Sequence, residues 1–367
     1  MTTLRRYWQT TPRRRSGDNR QTPMPGNRYY HGPESDHFDG LRFFNPGQPT
    51  TDRSLFDLLR WRLSAPRSDW PKSVAVRRVK PDARVDRLRI TMVGHATVLI
   101  QVAGINLLSD PVWSDRTSPF AAFGPERVTV PGIAFDDLPP IDVVLVSHNH
   151  YDHLDLMTLG RLHAAHAPLM VMPLGNDTII RAAVHDARIA VGDWHDQIEI
   201  APGVATTLTP ATHWSARGIR DRRMALWAGH YLKTSRNGSV WFAGDTGYGD
   251  GAIFRDLRHR HGAPDVALLA IGAYAPRWFM APQHTDPAEA VRIFADVGAR
   301  HALGIHWGTF PLSDEPREEP PALLAAALAQ SGVEPSRFPA AEPGSVYHYA
   351  SESAAKEPCE DKRIRPK

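Results

Sequence analysis

Val143-Val-Leu-Val-Ser-His148-Asn-His150-Tyr-Asp152-His153-Leu-Asp155 is the stretch on which the reading of this chain turns. Four apolar residues and a serine run directly into His148, His150, Asp152 and His153, four donors within six positions. A short apolar run ending in such residues reads as a buried strand that delivers side chains to a site. On an extended segment His148 and His150 project to one side, and the turn through Asp152 and His153 redirects the next two donors toward a second ion. Neutral imidazoles with a carboxylate suit Zn²⁺, with iron or manganese as substitutes, whereas an all-carboxylate set would favour Mg²⁺ or Ca²⁺. In a chain of 367 residues with 18 histidines, the pattern H-x-H-x-D-H arises by chance in on the order of one sequence in a few hundred.

Two ions need more donors than this loop holds. His213 in Thr209-Pro-Ala-Thr-His213-Trp, Asp245 in Phe242-Ala-Gly-Asp245-Thr-Gly and His306 in Leu303-Gly-Ile-His306-Trp-Gly all follow apolar runs and adjoin small residues. A solvated polar loop and a closed structural zinc site are the plainer alternatives. Structural sites are usually Cys-rich, and seven donors fit two open sites sharing a carboxylate better than one saturated ion.

Outward from the metal loop, Ile90 to Val93, Val98 to Val102 and Ile105 to Leu108 are short apolar runs broken by Gly94 and Gly104, consecutive strands of one sheet. Further strands are expected at Val143 to Val146, Leu169 to Met172, Ile189 to Val191, Val204 to Leu208, Leu226 to Lys233, Val240 to Ala243, Val266 to Ala270 and Ala302 to Ile305. The best-marked helix starts at Asp286, where the carboxylate, Pro287 and Glu289 form a capping box before Ala290 to Phe294. Strands in succession and strands separated by helices together fit an α/β architecture of two sheets covered by outer helices. This domain is expected over 86–350. Residues 1–85, rich in Pro, Arg, Gly and aromatics with one short helix around Ser54 to Leu63, read as an extension wrapping it, and 351–367 as a charged tail.

Hydrophobic residues make up 42% and charged residues 23%, enough apolar material for a sizeable core. The net charge is only +3, although Arg5, Arg6, Arg13, Arg14, Arg15 and Arg20 crowd the N-terminus; nucleic acid is therefore not an expected partner. The single cysteine, Cys359, forbids an intramolecular disulfide and a Cys-rich zinc site. With no apolar segment after the arginines and no run of eighteen apolar residues, neither a secretory signal nor a spanning helix is expected. A cytoplasmic location is expected, at most peripheral to the inner face of a membrane, with the arginines, Tyr7, Trp8, Tyr29 and Tyr30 as the contact.

The metal motif followed by a distant His, Asp and His resembles the metallo-β-lactamase superfamily. That resemblance implies an αββα sandwich of two mixed β-sheets flanked by helices. It gives His148, His150 and His213 to one metal, Asp152, His153 and His306 to the other, and Asp245 to both. Gly94-His-Ala-Thr97, Ser109-Asp-Pro111, Gly124-Pro-Glu-Arg127, Leu138-Pro-Pro-Ile-Asp142, Pro276-Arg-Trp-Phe-Met280, Gln283-His-Thr-Asp-Pro287 and His306-Trp-Gly-Thr-Phe310 are more restrictive. Over roughly 75–335 they resemble the N-acylphosphatidylethanolamine-hydrolysing phospholipases D. This resemblance implies two zinc ions, a phospholipid substrate, a homodimer, and hydrolysis to phosphatidic acid and an N-acylethanolamine by a metal-bridging hydroxide. It places Gln283 and His284 at the substrate phosphate, with His284 donating a hydrogen bond or proton, and Asp245 and His284 in catalysis. Asp110, which follows an apolar strand, is counted with the catalytic residues, as a carboxylate that orients a ligand or the water. His95 is read as structural. The alternatives are a hydrolase of another phosphodiester or a lactone on the same fold, and, from another class, a non-catalytic metal-bound membrane adaptor.

Overall fold

The structure is a computed structural model, and it describes residues 26–48, 51–64, 68–120 and 122–349. The basic residues Arg5 to Arg20, Tyr7, Trp8 and the tail 351–367 with Cys359 lie outside the described residues.

Among the described residues thirteen strands form two sheets. In the first, β13 (Val346–His348), β1 (Arg89–Gly94), β2 (Thr97–Val102), β3 (Ile105–Ser109), β4 (Val143–Leu145), β5 (Leu169–Pro173) and β6 (Arg188–Gly192) lie side by side in that order. The second runs β12 (His301–Ile305), β11 (Val266–Ala270), β10 (Ser239–Phe242), β9 (Gly229–Thr234), β8 (Val204–Thr209), β7 (Gln197–Ala201). Both are mixed: β1 to β3 pair antiparallel and β3 to β6 parallel, while β7 to β10 pair antiparallel and β10 to β12 parallel.

Alternate residues of the strands meet between the sheets. Ile90, Val98, Ile100 and Leu145 of the first sheet pack with Leu232, Phe242, Leu268 and Ile305 of the second in one core. The other faces are covered by helices, which is why the central strands are apolar on both sides. α2 (Leu156–His166) and α3 (Asn176–Ala183) bury Leu159, Leu162 and Ile180 against Leu108, Val144 and Met170. α4 (Ala252–His261) and, after the short α5 (Arg277–Met280), α6 (Pro287–Val297) and α7 (Glu319–Gln330) bury Phe254, Val291, Phe294 and Leu324 against Trp241 and Leu269. The result is a sandwich of helix, sheet, sheet and helix layers.

The α6 start follows its sequence signature: Asp286 accepts from Glu289 N at 2.8 Å, Glu289 accepts from Asp286 N at 3.2 Å, and Gly298 ends the helix in the left-handed conformation. The strand expected from Leu226 begins only at Gly229, because Leu226 N and Ala228 N bond outside the sheet ladder, to Leu174 O and Ser147 O. β7 carries only two alternating apolar residues, Ile198 and Ile200, around Glu199, and β13 is three residues long, so both are too short to stand out in the sequence.

The described residues before β1 lie along the sandwich. They contain α1 (Leu55–Ser64), close to the helix expected there. Asn27 Nδ2 donates to Met224 O, Asn45 Nδ2 to His213 O, and Trp61 Nε1 to Asp314, at 2.9, 2.9 and 2.7 Å. Tyr29 donates to Asp221 at 2.7 Å, and Tyr30 packs on Phe38 and Phe43. Of the four rings expected at a membrane, these two are thereby engaged with the protein.

Gly272, just beyond β11, shows how tightly the strand ends are fitted. A Cβ there would stand 2.3 Å from the His306 carbonyl oxygen, a backbone atom that cannot swing aside. Gly272→Ala is expected to destabilise the fold by about 1–3 kcal/mol and to weaken metal retention by displacing His306. Thermal melting and metal analysis of the purified variant check both effects.

Candidate metal centre

Strands β1, β3 and β4 run in one direction in the first sheet, and β8, β10 and β12 in one direction in the second. Their carboxyl ends deliver the expected donors to one place. Asp110 follows β3, His148 to His153 follow β4, His213 follows β8, Asp245 follows β10 and His306 follows β12. Asp110 and His306, together with His95 after β1, are non-glycine residues with positive φ, at 30°, 62° and 55°. Such strain persists only where surrounding contacts over-determine the backbone.

The donors gather in two groups. His148 Nε2 lies 2.8 Å from His150 Nδ1, and His213 Nε2 lies 3.3 Å from the same atom. In the second group His153 Nε2 and His306 Nε2 are 3.1 Å apart, with Asp152 Oδ2 at 3.4 and 3.3 Å from them. Asp245 Oδ2 stands between the groups, 3.2 Å from His153, 3.3 Å from His306 and 3.9 Å from His213. These separations crowd ring nitrogens and carboxylate oxygens around two points, an arrangement that suits a shared cation.

The far sides of the rings are held. His153 Nδ1 donates to Asp110 Oδ2 at 2.6 Å, and His213 Nδ1 donates to Gln283 O at 2.8 Å. Ser147 Oγ donates to Asp110 and accepts from His148 Nδ1 at 2.9 Å. With Nδ1 protonated in all three, Nε2 is left facing inward to ligate. Among the described residues, His150 Nε2 and Asp245 Oδ1 are buried without a hydrogen-bond partner. The donor set fits metal on these grounds.

Asp110 has both oxygens occupied, by Ser147 N and Oγ and by His153, and it is fully buried. It therefore holds His153 from behind and is not part of the lining of the cavity onto which His150, Asp152 and Asp245 open, which narrows the catalytic expectation to ligand orientation. Burial raises its pKa, against the pull of His153 and Ser147. Gln283 and His284 both line the cavity, and His284 Nδ1 lies 3.6 Å from Asp245 Oδ2.

His95, read as structural from the sequence, lies against the second group of donors. Its Nε2 lies 3.0 Å from Asp152 Oδ2 and its ring centroid 4.0 Å from that of His306. The Gly94-His-Ala-Thr97 sequence, at a β1–β2 junction bent by a register shift, was the available signal.

Electrostatically the two groups differ. Burial pushes His148 well down and takes His150 and His213 to about 3, so these rings are neutral. Against burial, the Asp245 and Asp152 carboxylates hold His153 well above its ordinary value and raise His306 to about 9. Asp152 and Asp245, opposed by burial and favoured by His153, stay well below the usual carboxylate range.

The chain belongs to the beta-lactamase superfamily, whose domain matches residues 105–307. It is a metal-dependent hydrolase of the metallo-β-lactamase fold. An uncharacterised protein of Mycobacterium tuberculosis is 35% identical over 292 residues, spanning 77% of this chain and 76% of its own. The N-acyl-phosphatidylethanolamine-hydrolyzing phospholipase D 1 of Caenorhabditis elegans is 36% identical over 249 residues, 64% of this chain and 69% of its own. Among solved structures, the isothiocyanate hydrolase from Delia radicum gut bacteria covers 72% of this chain with a TM-score of 0.57 and 18% identity, a likeness of fold.

His306 is raised from 6.5 to about 9, so its charge stabilises the metal-free protein fully below pH 6.5, and this is lost as pH climbs through about 9. The melting temperature of chelator-treated protein is expected to fall across that window. Metal must displace the His153 and His306 protons, so loading within the same window is expected to release protons and to tighten with pH. Calorimetry in buffers of different ionisation enthalpy measures that release.

Proposed function

We propose that this protein is a binuclear zinc-dependent phosphodiesterase of phospholipase D type. It hydrolyses N-acylphosphatidylethanolamine-like lipids to phosphatidic acid and an N-acylethanolamine. The observation that carries the reading is a cavity of ≈ 430 Å³ whose floor includes His150, Asp152 and Asp245 and whose wall includes Leu58, Trp61, Phe279 and Met280. Arg53 and Arg222 also line it. A diester with an anionic phosphate and long acyl chains needs both chemistries in one pocket. The phospholipase name of the worm relative supports the same substrate class.

His148, His150 and His213 would hold one ion, Asp152, His153 and His306 the other, with Asp245 shared. When bound, the ions supply Lewis acidity, which provides a nucleophile near neutral pH and offsets charge on the phosphoryl oxygens. Asp245, ionised and placed between the groups, accepts hydrogen bonds from the attacking water and fixes its direction. His284 is pushed down to about 3 by burial and is therefore a neutral hydrogen-bond donor to a phosphoryl oxygen, not a proton source. Gln283 serves the same phosphate through its side-chain amide while its carbonyl holds His213. Asp110 keeps His153 oriented.

The proposal extends to a membrane surface. Phe56, Leu59 and Leu63 recur on α1 at spacings of three and four and are 74%, 56% and 77% exposed, while Leu58 and Trp61 of the same helix line the cavity. Arg60 lies over the exposed Trp278 ring, 4.8 Å from its centroid. An apolar stripe beside guanidinium groups at a pocket mouth suits peripheral lipid contact. Among the described residues no helix is long and apolar enough to cross a membrane. The homodimer is carried by the resemblance to the family.

Zinc-loaded protein, incubated with vesicles containing N-acylphosphatidylethanolamine, is expected to yield phosphatidic acid and N-acylethanolamine by mass spectrometry. Asp245→Asn is expected to lose at least about a hundredfold in rate. A folded, metal-loaded wild type forming neither product overturns the substrate, and other phosphodiesters and lactones are then the compounds to screen.

A further inference from the structure

The turn between β1 and β2 inserts a side chain into the metal centre that the seven donors do not account for. We propose that His95 is a positioning residue for that centre, donating Nε2–H to Asp152 and holding its carboxylate in place for the ion shared with His153 and His306. The proposal rests on the binuclear reading above and deepens it.

The contact is short and enclosed. His95 is 1% exposed, and its Nε2 lies 3.0 Å from Asp152 Oδ2, the same oxygen that approaches His153 and His306. An ionised carboxylate only accepts, so the proton of this pair sits on His95 Nε2 and Nδ1 carries the lone pair. Among the described residues Nδ1 is itself buried with no hydrogen-bond partner. Among the same residues the ring's hydrogen bond is to Asp152 alone, and simple packing would be served as well by a phenyl ring with no orphaned nitrogen.

The backbone of the same residue grips another expected ligand. His306 N donates to His95 O at 2.9 Å, and His95 N donates to Thr309 Oγ1 at 3.0 Å. The imidazole is wedged between His306, at 4.0 Å between centroids, and the edge of Phe310, at 5.3 Å. The left-handed backbone at φ 55° is what turns the ring inward. Asp152 lines the cavity and is partly exposed, and His95 holds its Oδ2 at 3.0 Å, closer than His153 and His306 at 3.4 and 3.3 Å. One residue thus fixes two members of one group and touches none of His148, His150 or His213 by hydrogen bond.

The test compares His95→Phe, which keeps a ring without the donor, with His95→Gln, which restores an N–H donor of similar reach. His95→Asn, which tolerates left-handed backbone but is too short for Asp152, replaces the Phe variant if that one fails to fold. Full-length protein is stripped of metal and titrated with Zn²⁺ against a competing chromophoric chelator, and the melting temperature of the metal-free form is measured beside it. Wild type and His95→Gln are expected to take up two equivalents with similar affinities. His95→Phe is expected to bind one equivalent normally and the other 10- to 100-fold more weakly, with a metal-free melting temperature close to wild type. Wild-type affinity for both equivalents in His95→Phe, or a His95→Gln variant as weak as the Phe variant, overturns the proposal. A wild type that takes up fewer than two equivalents refutes the binuclear reading itself, a separate result.

Discussion

The Asp110 carboxylate is the contact on which the metal centre depends. It stands at the end of β3, fully buried, and accepts three hydrogen bonds, two from Ser147 and one from His153. Through them it ties β3 to the loop after β4, fixes the His153 ring, and by way of Ser147 reaches His148. A carboxyl group inside a protein is tolerated only when so satisfied. The same bonds that satisfy it also leave Nε2 of both histidines facing inward.

The two groups of donors are matched to different electrostatic tasks. His148, His150 and His213 are three neutral imidazoles with no carboxylate of their own, so a cation there meets little competition from protons. His153 and His306 share their space with Asp152 and Asp245 and hold protons that a cation must displace. Asp245 is close enough to both groups to couple them.

The segment before β1 belongs to the same construction. Asn45 donates to the His213 carbonyl and accepts from Trp227, so it braces an expected ligand from outside the sheets. Asp52 pairs with Arg222 and Arg223; Arg222 lies 3.5 Å from the Trp214 ring centroid, and Trp214 meets His150 edge-on. One side of the pocket is thus set by chain positions about a hundred residues from the His148 loop, where no periodic pattern announces them.

The sequence by itself determined the apolar runs of the central strands, the capping box at Asp286 and seven donors at strand ends. Each of these depends on local spacing, on a strand's apolar run or a cap's three-residue reach, which a linear reading captures. Edge strands such as β7 and β13 lay beyond it because half-exposed strands carry little apolar signal. Only the tertiary structure decided that Asp110 backs His153, that His95 turns onto Asp152, that Tyr29 and Tyr30 pack inward, and that α1 walls the cavity. Those roles arise where strands distant in sequence end at the same edge of two packed sheets. A side chain's partner there is set by the register and twist of the layers, and no residue spacing encodes it.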